Sequence, residues 1–188
     1  MLTRSRKRIN RQKTQAKKTR SKVIMQKVNL TEVKDEFFAS PKKVYQVLRK
    51  QISRCLRQQD DEDREAAFEI EHVRLPPGKK NFPYHQHATW WELYYILSGQ
   101  GKMRTQSGLT KIEPEDCFVF PPGDPHQIIN DSQQDLVYLV IANNTSFDQC
   151  YYPDSDKVWF SGTVAKGQAV GLTQVKPGFT TNYWQDEE

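Results

Sequence analysis

From Ala66 onward the chain is a succession of short β-like runs, each ended by a turn signal. This pattern limits the fold more than any other feature. Residues 68–75 stop at Pro76-Pro77-Gly78, residues 92–97 at Ser98-Gly99-Gln100-Gly101, and residues 102–105 at Gln106-Ser107-Gly108. Residues 117–120 stop at Pro121-Pro122-Gly123, residues 126–129 at Asn130-Asp131-Ser132, and residues 136–142 at Asn143-Asn144. Many short strands with closely spaced turns predict an antiparallel sandwich or barrel. Weaker strand candidates follow at 158–160, 170–173 and 179–184, and no internal repeat is present.

Upstream of this region the chain changes character twice. Val44, Leu48, Ile52, Cys55 and Leu56 recur at helical spacing behind Ser40-Pro41, which predicts an amphipathic helix over 41–58 with Ser as cap and Pro at its first position. Val44-Tyr45 and Val47-Leu48 would equally suit a strand. An acidic linker occupies 58–65. The first 28 residues hold 11 Lys and Arg and no acid, whereas residues 29–188 carry 17 basic against 23 acidic residues. The positive net charge of the chain (+5) therefore belongs to its tail, and the remainder does not read as a nucleic-acid binder. The tail (1–24) is too poor in apolar residues to offset its ordering entropy, so it reads as a disordered basic arm. An organelle-targeting peptide, in a eukaryotic setting, is the second reading, and a translation start at Met25 the third. Weak nucleic-acid binding through the tail would lack aromatic stacking. The expected organisation is a tail (1–24), an N-terminal segment with linker (25–65), a barrel (66–160) and a C-terminal extension (161–188) that packs on the barrel or on a partner.

Composition removes several function classes. No apolar run approaches the ~20 residues of a bilayer span. The three cysteines, Cys55, Cys117 and Cys150, are an odd and widely spaced set, unlike a disulfide framework or a thiolate zinc site. A reducing, cytoplasmic setting is the expectation.

Four histidines are present, and three fall where strands and turns can gather them. His85 and His87, two residues apart on an extended segment, project to one side. Glu92 follows after a turn and shares a strand face with Tyr94 and Ile96. His126 comes directly after Pro121-Pro122-Gly123. A lone buried histidine is more often a hydrogen-bonded core residue than a ligand. Three imidazoles with one carboxylate, however, match the donor preferences of one divalent first-row metal: Fe, Mn, Ni, Zn or Cu. Calcium and magnesium prefer all-oxygen shells.

These segments resemble the two motifs of the cupin superfamily. Gly78, His85-Gln86-His87, Glu92 and Gly99 look like the first. Pro121-Pro122-Gly123-Asp124-Pro125-His126, ending at Asn130, looks like the second, with Glu115 where the motif usually has glycine. The turn Tyr152-Pro153-Asp154-Ser155-Asp156-Lys157 also resembles a subset of small single-domain members. The resemblance implies an all-β jelly-roll barrel around a pocket, metal ligands at His85, His87, Glu92 and His126, and frequent homodimers. It chooses no reaction.

Other residues receive expectations of their own. Tyr94 and Asp124 are the candidate catalytic side chains, and Tyr138 a further proton-transfer candidate. Trp90 and Trp91 wall a pocket or pack. Phe118, Phe120 and 136–141 belong to the core, and Cys117 and Cys150 are buried, unreactive thiols. The expected function is metal-dependent action on a small carboxylate, hydroxy or keto compound, by a dioxygenase or isomerase. The alternative is a non-catalytic module that binds or senses such a molecule in the same pocket.

Overall fold

The computed structural model describes residues 27–56, 68–164 and 168–175. Strands β1 (Glu36–Ala39) and β2 (Gln46–Gln51) lead into a single helical turn, α1 (Ile52–Cys55). Then follow β3 (Phe68–Leu75), β4 (Gln86–His87), β5 (Glu92–Ser98), β6 (Gly101–Thr105) and β7 (Gly108–Ile112). The remaining strands are β8 (Cys117–Phe120), β9 (Gln127–Ile129), β10 (Leu136–Asn143), β11 (Phe147–Tyr152), β12 (Lys157–Val164) and β13 (Gln168–Val175). The basic tail (1–24), the acidic linker (58–65) and the aromatic C-terminal stretch with Phe179, Tyr183 and Trp184 lie outside the described residues.

One wall of the barrel is a six-stranded antiparallel sheet in the order β1-β2-β3-β10-β5-β8. The opposite wall combines β13-β12-β11-β4 with β7-β6-β9. A backbone bridge between His85 and His126 joins those two sheets. This is the antiparallel barrel expected from the turn spacing, with the jelly-roll form that the cupin resemblance implies. Alternation along the strands sorts the side chains: on β5, Glu92, Tyr94 and Ile96 point inward, and Leu93, Tyr95 and Leu97 outward. The core gathers Val47, Val73, Leu75, Ile96, Ile128, Leu136 and Tyr138 between the walls, with Phe118 and Phe120 packed against it. Truncating one such aliphatic side chain costs about 2–5 kcal/mol.

Three expectations need correction. The helix over 41–58 reduces to the turn Ile52–Cys55, because residues 46–51 pair instead with β3, from Leu48 against Arg74 to Gln51 against Glu71. A strand edge with unpaired amides and carbonyls captures a segment whose periodicity suits either form. Ser40 caps no helix; its hydroxyl accepts from the Tyr45 amide at 3.2 Å within a turn. Cys117 is exposed rather than buried, since β8 turns Phe118 and Phe120 inward and leaves Cys117 and Val119 outside. Glu115 adopts a left-handed backbone (φ 75°), so the turn that glycine usually makes is retained by a residue with a side chain. Among the described residues, no helix is long and apolar enough to cross a membrane.

Candidate metal centre

The four residues singled out in the sequence converge in the barrel interior. His85 precedes β4 and His87 ends it; Glu92 opens β5 on the facing wall; His126 immediately precedes β9. His85, His87, Glu92 and His126 are all at least nine-tenths buried. One oxygen, Glu92 Oε2, lies 2.7 Å from His126 Nε2 and 3.6 Å from His87 Nε2. His85, Glu92 and His126 each bring a ligand atom within 4.8 Å of the others.

Each imidazole is held by its other nitrogen. His85 Nδ1 faces the carbonyl of Pro83 at 2.8 Å, His126 Nδ1 the carbonyl of Asp124 at 3.0 Å, and His87 Nδ1 the Asp148 carboxylate at 2.6 Å. All three partners only accept, so each Nδ1 carries the proton and each Nε2 offers its lone pair to the interior. His126 Nε2 nevertheless faces a carboxylate oxygen, a contact that calls for a proton or a cation between them. The arrangement is compatible with a metal ion, and the borderline and hard donors suit a first-row divalent ion.

The electrostatics agree with this polarity. Burial pushes the His85 imidazole down to about 3, and His126 adds to the effect, so His85 stays neutral. Burial also works to raise Glu92, but the hydrogen bond with His126 and the charges of the histidines overcome it and hold the carboxyl at about 2. At His87 burial is the largest single influence, but the bond to Asp148 and the charges of Glu92 and Asp148 together outweigh it, and its pKa rises.

The remaining candidates divide. Tyr94 is buried, and its hydroxyl lies 3.1 Å from Glu92 Oε2 and 3.2 Å from His126 Nε2. Burial raises its pKa well above the ordinary phenol value. The Asp124 side chain is exposed, and its carbonyl accepts from His126 Nδ1. Tyr138 is buried with its pKa raised by burial. Trp90 stacks on His87 with ring centroids 4.9 Å apart, whereas Trp91 is exposed. Cys150 is buried opposite His87 on β11, and burial pushes its thiol up to about 12, as expected of an unreactive residue.

Asp148 was not legible as a functional residue. It lies 61 positions beyond His87 and is fully buried, also accepting from the Thr89 amide and hydroxyl. An aspartate inside the strand-like run 147–152 was the available signal. The turn 152–157 is fixed by a two-pronged ion pair from Arg104 to Asp154 (2.6 and 2.8 Å), with the guanidinium 4.0 Å above the Tyr84 ring. A cavity of about 570 Å³ runs from the histidines to the inner face of the six-stranded sheet.

Residues 71–142 match the model of the Cupin domain. With the barrel described above, this supports a cupin domain in the chain. An uncharacterized protein of Methanocaldococcus jannaschii is 38% identical over 56 residues, 30% of this chain and 44% of that protein. The oxalate-binding protein of Thermotoga maritima is 32% identical over 69 residues, 37% of this chain and 56% of that protein. The chain thus spans about half the length of the curated relatives it matches. Among solved structures, a sugar phosphate isomerase of the cupin superfamily from Silicibacter pomeroyi aligns at a TM-score of 0.65 and 20% identity, covering 81% of this chain and 93% of that one. A predicted oxalate decarboxylase from Thermotoga maritima aligns at a TM-score of 0.53 and 23% identity, covering 64% of this chain and 100% of that one. At these identities the structural likeness speaks for the fold.

Proposed function

We propose that His85, His87, Glu92 and His126 hold one divalent first-row transition metal, and that the protein acts on a small carboxylate, hydroxy or keto compound reaching it through the cavity. A metal-dependent dioxygenase or isomerase is the reaction class. The observation that carries the reading is the common fixation of the three Nδ1 atoms, which aims three lone pairs toward one ionised carboxylate. When bound, the ion supplies Lewis acidity to an oxygen ligand. Three neutral imidazoles and one carboxylate leave a divalent centre with about one positive charge, which favours an anionic oxygen in a low-dielectric pocket. Tyr94 is placed to donate toward that centre, and Trp90 shields His87 from solvent on one ring face.

One observation favours the non-catalytic alternative. Asp124 lies outside the interior and Cys150 is held protonated, so no free proton acceptor other than the ligand set stands beside the histidines among the described residues. Such a pocket suits binding or sensing. The two readings separate when Fe(II)-, Mn(II)-, Ni(II)- and Zn(II)-loaded protein is incubated with small hydroxy and keto acids, with and without O₂. Product formation with any metal supports the enzyme; saturable binding without turnover supports the sensor. We also propose a homodimer, which would cover the open edge of β1, where Phe37 is exposed.

A further inference from the structure

The cavity has a second polar wall, remote from the histidines and built largely outside the segment that matches the Cupin domain. The strand registers place Gln51, Glu71, Val140 and Tyr94 in one row across β2, β3, β10 and β5. All four line the cavity. Three strand intervals of about 4.8 Å separate Gln51 from Tyr94, about 14 Å along the sheet. A two-carbon acid held at the histidines would not reach the far end of this row.

That far end holds unspent hydrogen-bonding capacity. Gln51 is 5% exposed and Glu71 8%. The Gln51 amide nitrogen donates to Glu71 Oε1 at 3.0 Å, and Arg49 Nη1 donates to the same oxygen at 3.2 Å. Because the carboxylate accepts, the amide nitrogen must face it, and Gln51 Oε1 is left over. Gln51 Oε1 and Arg49 Nε are both buried with no partner among the described residues. A buried polar group left without a partner destabilises the fold. One is an acceptor and the other a donor, and both belong to residues lining the same cavity.

The charges of this wall are already balanced. Arg49 pairs with Glu71 and Glu36, and Arg54 with Glu36. Among the described residues of this wall both cations, Arg49 and Arg54, are engaged by carboxylates, and Lys157, which also lines the cavity, belongs to β12 of the other sheet. A hydroxyl fits this wall, since it gives one hydrogen bond and accepts another.

We propose that Arg49 and Gln51 form a hydroxyl-recognising subsite, so that the preferred ligand is a chain bearing several hydroxyls, anchored at the metal by one end and neutral at the other. Gln51 Oε1 accepts from the distal hydroxyl and Arg49 Nε donates to it. The inference rests on the metal-anchored reading above and adds the substrate class.

The test uses the Mn(II)-loaded full chain and three 2-hydroxy acids, followed by titration calorimetry: glycolate, 2-hydroxyhexanoate and gluconate. All offer the metal the same end; only gluconate carries hydroxyls to the far wall. Gluconate is expected to bind at least tenfold more tightly than 2-hydroxyhexanoate. Arg49→Lys keeps the charge and removes Nε, and Gln51→Met removes the amide oxygen at similar volume. Each should cut the preference to threefold or less and leave glycolate affinity unchanged, with melting curves checking the fold. Glycolate binding without a gluconate preference in the unmodified protein overturns this inference alone. Absence of binding by all three acids overturns the metal-anchored reading and this inference with it.

Discussion

His85 and His126 exchange both of their backbone hydrogen bonds, amide to carbonyl, at 3.2 and 2.8 Å. The two residues are therefore a strand pair as well as neighbours at the site. Their bridge joins the sheet that contains β4 to the sheet that contains β9. Side-chain truncation at either position leaves this seam intact, because the bonds use only main-chain atoms. The His85→Ala/His87→Ala double variant should fold, with an unchanged far-ultraviolet spectrum. Elemental analysis of untagged protein should find about one metal per chain in the parent and less than a tenth of that in the variant. Full occupancy in the variant would refute the ligand assignment.

Asp148 fixes the His87 ring through a bond of 2.6 Å and is itself held by Thr89. Loss of such an outer partner typically weakens metal binding about 10- to 100-fold. Asp148→Ala should show a loss in that range by competition with a chromophoric chelator. Thr89→Val, which removes one hydroxyl bond to Asp148 and keeps the amide bond, should lose less than a tenth as much. Equal affinity of Asp148→Ala and the parent would assign Asp148 a purely packing role.

The metal-free protein should lose stability on acidification. His85 titrates at about 3 when folded against an ordinary value of 6.5, and Glu92 at about 2 against 4.5. In each case the unfolded chain takes up the proton first, so stability rises with pH across these windows. The His85 contribution is present above pH 6.5 and falls away toward pH 3; that of Glu92 is present above 4.5 and falls away toward pH 2. His87, with its pKa raised, acts in the opposite sense, since it favours the folded state in acid. Denaturant midpoints at pH 7, 5 and 4 should fall in that order, and His85→Phe should flatten the decline between pH 6.5 and 5. An unchanged midpoint from pH 7 to 4 would contradict the buried neutral state of His85.

Gly99 ends β5 in the left-handed region (φ 83°), and a side chain there would strike the Asp135 carbonyl and come within 2.9 Å of Leu136 Cα. Both obstacles are backbone at the start of β10, the strand beside β5 in the same sheet. Gly99→Ala should cost about 2–4 kcal/mol, and Gly108→Ala, which has positive φ (112°) but open space around it, about 1 kcal/mol. Chemical denaturation of both variants tests the contrast; equal losses would mean that backbone conformation alone sets the cost.

The parts of this fold that local chemistry determines were readable beforehand, and the parts that depend on distant pairing were not. The strands at Phe68–Leu75 and Cys117–Phe120 follow from alternation between turn signals. The gathering of His85, His87, Glu92 and His126 follows from spacing and residue type, and the structure places them together. By contrast, residues 41–58 carry a pattern that fits helix and strand alike, and only the free edge of β3 decides between them. Asp148 and Gln51 acquire their meaning from partners 61 and 20 positions away, which spacing along the chain does not reveal.

Tyr94 offers the sharpest separation of packing from chemistry at the site. Its ring stacks on Phe118, with centroids 5.6 Å apart, and contacts Phe120 and Tyr138, so Tyr94→Phe preserves the core. Its hydroxyl meets only Glu92 and His126 among the described residues. The substitution removes one buried hydroxyl from two charged or polar partners, which costs about 1–2 kcal/mol. Metal content should be retained, because the hydroxyl is not among the four donors. Affinity of the Mn(II)-loaded protein for glycolate should fall about fivefold if the hydroxyl turns its single proton from Glu92 to the ligand's oxygen. The melting temperature and the glycolate titration are read together: a lowered melting temperature with unchanged glycolate affinity would make Tyr94 a positioning residue for Glu92 and nothing more.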